Sequence, residues 1–156
     1  MLDVSATLNQ LCTFRLGPLY LGINVTEVRE VLLQADVTTV PHADEVIEGL
    51  INLRGQIATC IDLRRRLGIE TRDPDMVPIH VVTMTDGEPV TLLVDAVGDV
   101  VDVDPDTYET PPTTMDPETR ELILGAYKLE SELLLVLDLG KITHVGAGGG
   151  NKGEAS

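Results

Sequence analysis

An all-β fold of small barrels with only short helices follows from three observations on this 156-residue chain. Short apolar runs recur along its length, each bounded by Gly, Pro, Asn or Asp turn signals. The core those runs can build is aliphatic, because 43% of residues are hydrophobic while only 3% are aromatic and none is Trp. Val, Ile and Leu in that balance suit pleated surfaces, where β-branched side chains pack well. Finally, the close spacing of the turns leaves room for about nine or ten strands and no long helix, a pattern of small barrels.

Taken in order, residues 1–10 are weakly patterned and read as a mobile lead-in. Thr13–Leu16 and Leu19–Ile23 read as a hairpin around Gly17-Pro18. Asn24 is placed to cap a short helix, with Glu27 at the capping-box position and Val25, Val28 and Leu32 on one face. Pro41 breaks the chain, and Asp44–Glu48 reads as another helical turn. Leu50–Leu53 and Gln56–Leu63 flank an Arg54-Gly55 turn. Arg64–Leu67 reads as one helical turn stopped by Gly68, and polar residues 70–75 form a connection that divides the chain into two subdomains. Val77–Met84 and Val90–Val94 flank Asp86-Gly87, a strong hairpin signal. Val97–Val103 alternates apolar and acidic positions, and Pro105, Pro111 and Pro112 open a loop. Asp116-Pro117-Glu118 is a helix-start signature. Leu124–Leu129 and Leu133–Leu137 form a last hairpin, and the Gly-rich tail from Gly146 has nothing to bury and reads as disordered.

Charge excludes several partners. The chain carries 26 acidic against 11 basic residues, a formal net charge of −15. Such a body is repelled by phosphate backbones and anionic lipid, which argues against nucleic acid or a membrane surface as its target. Solubility explains the acidity, and a saline habitat is compatible with it. No apolar run approaches the roughly 20 residues that span a bilayer, and no signal-peptide pattern opens the chain. The expectation is a soluble, cytoplasmic protein.

Motifs of catalysis are lacking. His42, His80 and His144 have no metal-ligand spacing around them, and His80 reads as a tolerated barrel residue. Cys12 and Cys60 sit among apolar residues and read as buried free thiols, inert because burial disfavours the thiolate. No Gly-rich phosphate loop joins a strand to a helix. No cofactor and no enzymatic activity are therefore expected.

Two basic features stand out. Arg54 occupies a turn between apolar strands, with Asn52 before it and Gly55 after it. It either projects toward a partner or closes an internal salt bridge to Glu48 or Asp62. Arg64-Arg65-Arg66 is nearly the only basic cluster, and by default it is a solvated face or a charge complement to a helix C-terminus.

Gly49-Leu50-Ile51-Asn52-Leu53-Arg54-Gly55-Gln56-Ile57, running into Ile61-Asp62-Leu63-Arg64, resembles the core signature of CheW domains. Phe14-Arg15-Leu16, Val25 to Val31, Val40-Pro41, Leu93 to Val97, Ile123-Leu124-Gly125 and Leu135 to Leu139 resemble the family's other segments in the right order. The likeness spans about residues 11–143. Thr59 stands where the family usually has Pro, Gly22 and Gly98 replace bulkier residues, and the C-terminal helix of some members is absent.

The resemblance implies two SH3-like five-stranded β-barrel subdomains sharing an aliphatic core, residues 11–75 and 76–143, with residues 144–156 as a tail. It implies a non-catalytic adaptor that couples methyl-accepting chemoreceptors to the histidine kinase CheA. The partners would be the kinase regulatory domain and the receptor's cytoplasmic tip, at membrane-associated arrays. Carried over by position, Glu30, Gly49, Asn52, Arg54, Ile79 and Val100 would meet the receptor, and Cys12, Val25, Val28 and Gly98 the kinase. Gly55, Ile57 and Ile61 would build the barrel. Two alternatives are a scaffold for a pilus or surface-sensing kinase array and, in another class, a small β-barrel enzyme or ligand-binding protein.

Overall fold

A computed structural model describes residues 9–70 and 72–144. The chain runs β1 (Gln10–Leu16), β2 (Leu19–Asn24), a 3-10 turn (Val25–Glu27), β3 (Val28–Leu32), β4 (Ile47–Leu53), β5 (Gln56–Asp62), α1 (Leu63–Arg66), β6 (Ile79–Thr85), β7 (Glu88–Val94) and β8 (Ala96–Asp102). A second 3-10 turn (Pro105–Thr107) leads to β9 (Tyr108–Glu109), α2 (Pro117–Arg120), β10 (Ile123–Lys128), β11 (Leu133–Leu137) and α3 (Leu139–Ile142).

The strands form two sheets. One has the order β8-β1-β2-β11-β10-β9 and the other β3-β6-β7-β5-β4. Neighbours pair antiparallel except β2 with β11 and β5 with β7, which run parallel. The expected boundary at residues 75/76 does not follow the sheets. β6 and β7 lie beyond it yet pair with β3 and β5, while β8 to β11 return to β1 and β2. The correction has a simple cause: a polar connection marks a crossing between elements, and it carries no information on which sheet the next strand joins.

The main core lies between the sheets. Phe14, Leu21, Ile23 and Leu135 come from the six-stranded sheet, and Ile61, Leu92 and Val94 from the five-stranded one, with Leu63 and Ile142 of the short helices and Leu67 just after α1 filling it out. Two smaller clusters lie elsewhere: Ile51, Leu53, Ala58, Cys60 and Val82 belong to the five-stranded sheet, and Leu11, Leu134 and Val136 to the six-stranded one, joined by Val103 just after β8. Aliphatic chains that interdigitate in this way exclude water from both sheets at once, the dominant favourable term in folding.

Several local expectations are corrected. The helix expected after Asn24 is a single 3-10 turn; its capping box forms, but Val28 already begins β3, so Val25, Val28 and Leu32 share no helix face. Asp44–Glu48 makes no helical turn, because Ile47 and Glu48 enter β4. After β11 comes one helical turn, α3, where Asp138 Oδ1 accepts the Lys141 N–H. Of the lead-in expected over residues 1–10, residues 1–8 lie outside the described residues and Gln10 already pairs in β1; the tail from Gly146 also lies outside them. Among the described residues no helix is long and apolar enough to cross a membrane.

Candidate functional site

Arg54 and Gly55 form the two-residue loop between Leu53 and Gln56, which pair across it. Both have positive φ, 52° and 88°, the signs of a type I′ turn whose twist matches that of the flanking strands. Gly adopts this without cost, but a side chain in that region costs about 1–2 kcal/mol. Asn52 helps hold the corner, its Oδ1 accepting the Gly55 N–H at 2.8 Å. Arg54 therefore stands at an unfavourable position, 65% exposed, and reaches across to Glu30 on β3. The expected internal partners, Glu48 and Asp62, are engaged elsewhere: Glu48 lies 3.6 Å from Arg65, and Asp62 binds Arg72 and Arg65.

Ile57 corrects the sequence reading. It is 58% exposed rather than part of the barrel interior, and it pairs directly with Asn52. The signal was present in the register: Ile51 and Leu53 point inward, so Asn52 and the residue opposite it point out. An exposed apolar side chain thus joins Asn52 at this hairpin.

Gly49 is buried and plays another role. The residues before β4 fold back over it, with Thr38 and Leu50 exchanging two backbone hydrogen bonds of 2.8 Å. A Cβ on Gly49 would collide with the Thr38 carbonyl and lie 2.6 Å from Val37 Cγ1. Ile79 is half-buried at the start of β6 and packs against the main core. Glu30, Gly49, Asn52, Arg54 and Ile79 thus all belong to the five-stranded sheet and its turns. Val100 does not: it lies 51% exposed on β8 of the other sheet, directly opposite Cys12.

Of the second set, Cys12 on β1 and Gly98 on β8 lie on neighbouring strands. A Cβ on Gly98 would stand 2.6 Å from Thr13 Oγ1, which donates to the Asp99 carbonyl. Val25 follows β2 on the 3-10 turn, and Val28 packs against the main core. Cys60 is buried as expected, but Cys12, on β1 beside the edge strand β8, is only half-buried; desolvation pushes both thiols up and favours their protonated form. Burial, with the Arg72 charge, holds buried His80 below the usual imidazole range, and its Nδ1 lies 3.5 Å from Thr91 Oγ1.

The arginine triplet is neither a solvated face nor a simple charge complement. Arg64 grips Asp95 through two bonds, 3.0 Å from Nε and 2.5 Å from Nη2, and donates to the Glu70 carbonyl at 2.7 Å. Arg65 donates to the Glu45 carbonyl. Arg66 donates to the carbonyls of Lys141 and Ile142 at the end of α3. Asp62 caps α1 through the Arg64 N–H, and Gly68 ends it with positive φ. One helical turn thereby fastens three separate stretches of chain.

The CheW-like domain model matches residues 10–146. The chemotaxis protein CheW of Rhizobium meliloti (strain 1021) is 32% identical over 134 residues, covering 85% of this chain and 86% of its own. That of Bacillus subtilis (strain 168) is 34% identical over 118 residues, 75% of each chain. The crystal structure of the scaffolding protein TtCheW from Thermoanaerobacter tengcongensis superposes with a TM-score of 0.78 at 31% identity, covering 88% of both chains. By the family match and these relatives, the chain belongs to the CheW-like domain family.

Proposed function

We propose that the chain is a non-catalytic chemotaxis adaptor that binds both a chemoreceptor tip and the regulatory domain of a CheA-type histidine kinase. The observation that carries this reading is the Arg54 corner, in a chain whose relatives are chemotaxis proteins. A charged side chain held in a left-handed conformation at an exposed hairpin tip is costly to the fold and useful to a partner. Asn52, Ile57 and the Glu30–Arg54 pair offer a polar-rimmed apolar contact, suited to the stripe of an amphipathic helical hairpin. Arg54 then exchanges part of its bond with Glu30 for a charge-assisted bond that sets register.

Gly49 supports the receptor surface from within, and Ile79 lies on β6, the strand that pairs with β3. The kinase would dock on the β1–β8 edge through Cys12 and Gly98, with Val25 beside it and Val28 anchoring the turn. Val100, assigned by position to the receptor, stands across from Cys12, so the two proposed surfaces adjoin at that edge.

The test is reconstitution from purified chain, kinase and receptor cytoplasmic fragment. Kinase activity is expected to rise only when all three are present. Arg54→Ala is expected to lower receptor affinity by about tenfold or more, with kinase binding and thermal unfolding retained. Loss of kinase binding alongside, or a variant that unfolds, would make the corner structural and remove the support for this reading.

A further inference from the structure

Aromatic residues are scarce in this chain, with three Tyr and one Phe, so their placement is informative. All three tyrosines fall in one cross-strand row of the six-stranded sheet. Arg15 pairs with Tyr20, Tyr20 with Leu134, Leu134 with Tyr127, and Tyr127 with Tyr108. One end of the row is filled from within. The Arg15 guanidinium lies 4.1 Å from the Tyr20 ring centroid and makes a bidentate pair with Glu132 at 2.5 and 2.8 Å.

The other end has the same parts without the cation. Tyr108 and Tyr127 pack with centroids 5.1 Å apart and rings tilted by 57°. Tyr108 is 45% exposed, and Leu124 beside it is 53% exposed. With Leu11 and Val136 they line a cavity of about 490 Å³, whose rim carries Glu27. Gly125 makes the platform possible: a Cβ there would lie 2.6 Å from Tyr108 Cε1 and closer still to Cζ and the hydroxyl oxygen. Neither Lys nor Arg lines the cavity or pairs with Glu27 among the described residues.

We propose that this mouth is a docking site for an apolar segment of another protein carrying one arginine, its guanidinium stacked on Tyr108 and bonded to Glu27. Charge complementarity selects that occupant. An exposed aromatic face and a carboxylate together favour a guanidinium, which is planar, weakly hydrated and able to stack and form bonds at once. Glu27 welcomes a cation: burial raises its carboxyl, against the pull of the Asn24 N–H, and the Asp138 charge raises it further. A second copy of the chain is a poor occupant, because two bodies of net charge −15 repel. Residues 145–156 hold one lysine and no arginine. The site lies apart from the Arg54 corner, and the inference does not depend on the proposed function.

The test titrates the full isotope-labelled chain with a synthetic apolar tetrapeptide containing one arginine, and with its citrulline counterpart of the same shape and no charge. Amide shifts are expected at residues 24–27, 108–109 and 124–127, with the citrulline peptide binding about tenfold more weakly. Glu27→Gln keeps an acceptor for the Asn24 N–H, so it should fold normally and lose the same factor. Tyr108→Leu should weaken the arginine peptide more than the citrulline peptide, with thermal unfolding confirming that it folds. Equal binding of the two peptides, shifts spread over the acidic surface, or concentration-dependent shifts at these residues without peptide would overturn the proposal.

Discussion

Arg54 and the Arg64-Arg65-Arg66 triplet are the basic features of an acidic chain, and the fold treats them in opposite ways. Arg54 is 65% exposed at a hairpin tip, in a backbone conformation that disfavours its side chain, with one partner, Glu30, on β3 at the far edge of the same sheet. Arg64 has a side chain only 11% exposed, and its partner Asp95 also accepts the Gly17 N–H, so the pair joins α1 to the β1–β2 turn and to the residue that follows β7. Exposed pairs contribute little, typically about 0–1 kcal/mol. Well-bonded, shielded ones hold the fold, because breaking them leaves a charge without water or partner. The second hairpin tip sharpens the contrast. Asp86-Gly87 has nearly the same positive φ pair, 53° and 81°, but Asp tolerates that region through its short polar side chain. Where only the turn matters, the residue suits the turn.

The largest expected effect is at the buried end of this comparison. Arg64→Met keeps the bulk but takes from Asp95 its two charged bonds, leaving the Gly17 N–H and the more distant Arg72, and should cost about 2–3 kcal/mol, the worth of bonds to a charged group. Urea unfolding measures it. Arg64→Lys should recover only part, since an ammonium cannot reproduce the two-pronged geometry.

Arg54→Asn should do the reverse. Asn favours the first position of a type I′ turn, so midpoint stability should hold or rise by about 0.5–1 kcal/mol even though the pair with Glu30 is gone. A loss of stability as large as that of Arg64→Met would erase the distinction between the two regions.

The smallest effect is in pH dependence. Burial would raise the Asp95 carboxyl, but the Arg64 bonds, the Gly17 N–H and the charges of Arg64 and Arg72 outweigh it and hold it below the ordinary 3.8. The stability this gives is present above that ordinary value and is lost as pH falls through the lower folded one. The gap in unfolding free energy between the parent chain and Arg64→Met should therefore narrow below pH 3.8. A gap that stays constant to lower pH would place the role of Arg64 in packing.

Much of the architecture was legible because it is local. The hairpins at Gly17-Pro18, Arg54-Gly55 and Asp86-Gly87, the capping box at Asn24 and the stop at Gly68 are properties of a few consecutive residues. Asn52 and Arg54 were legible as a special corner for the same reason. Ile57 was misread because an apolar residue in a strand is usually interior, and only the register with Asn52 turns it outward.

The sequence by itself determined the all-β class, the aliphatic core, the turns and the family. Composition, period-2 patterning and turn chemistry act over a few residues, and they are written in the chain. Tertiary structure alone decided that β6 and β7 join the sheet of β3 to β5, and that β2 and β11 run side by side. It also decided that Arg64 meets Asp95 and Arg54 meets Glu30. Parallel neighbours and distant ion pairs leave no local signature, because no tight turn connects them and each charge has many possible partners in an acidic chain. Packing selects the one arrangement that buries both sheets against each other.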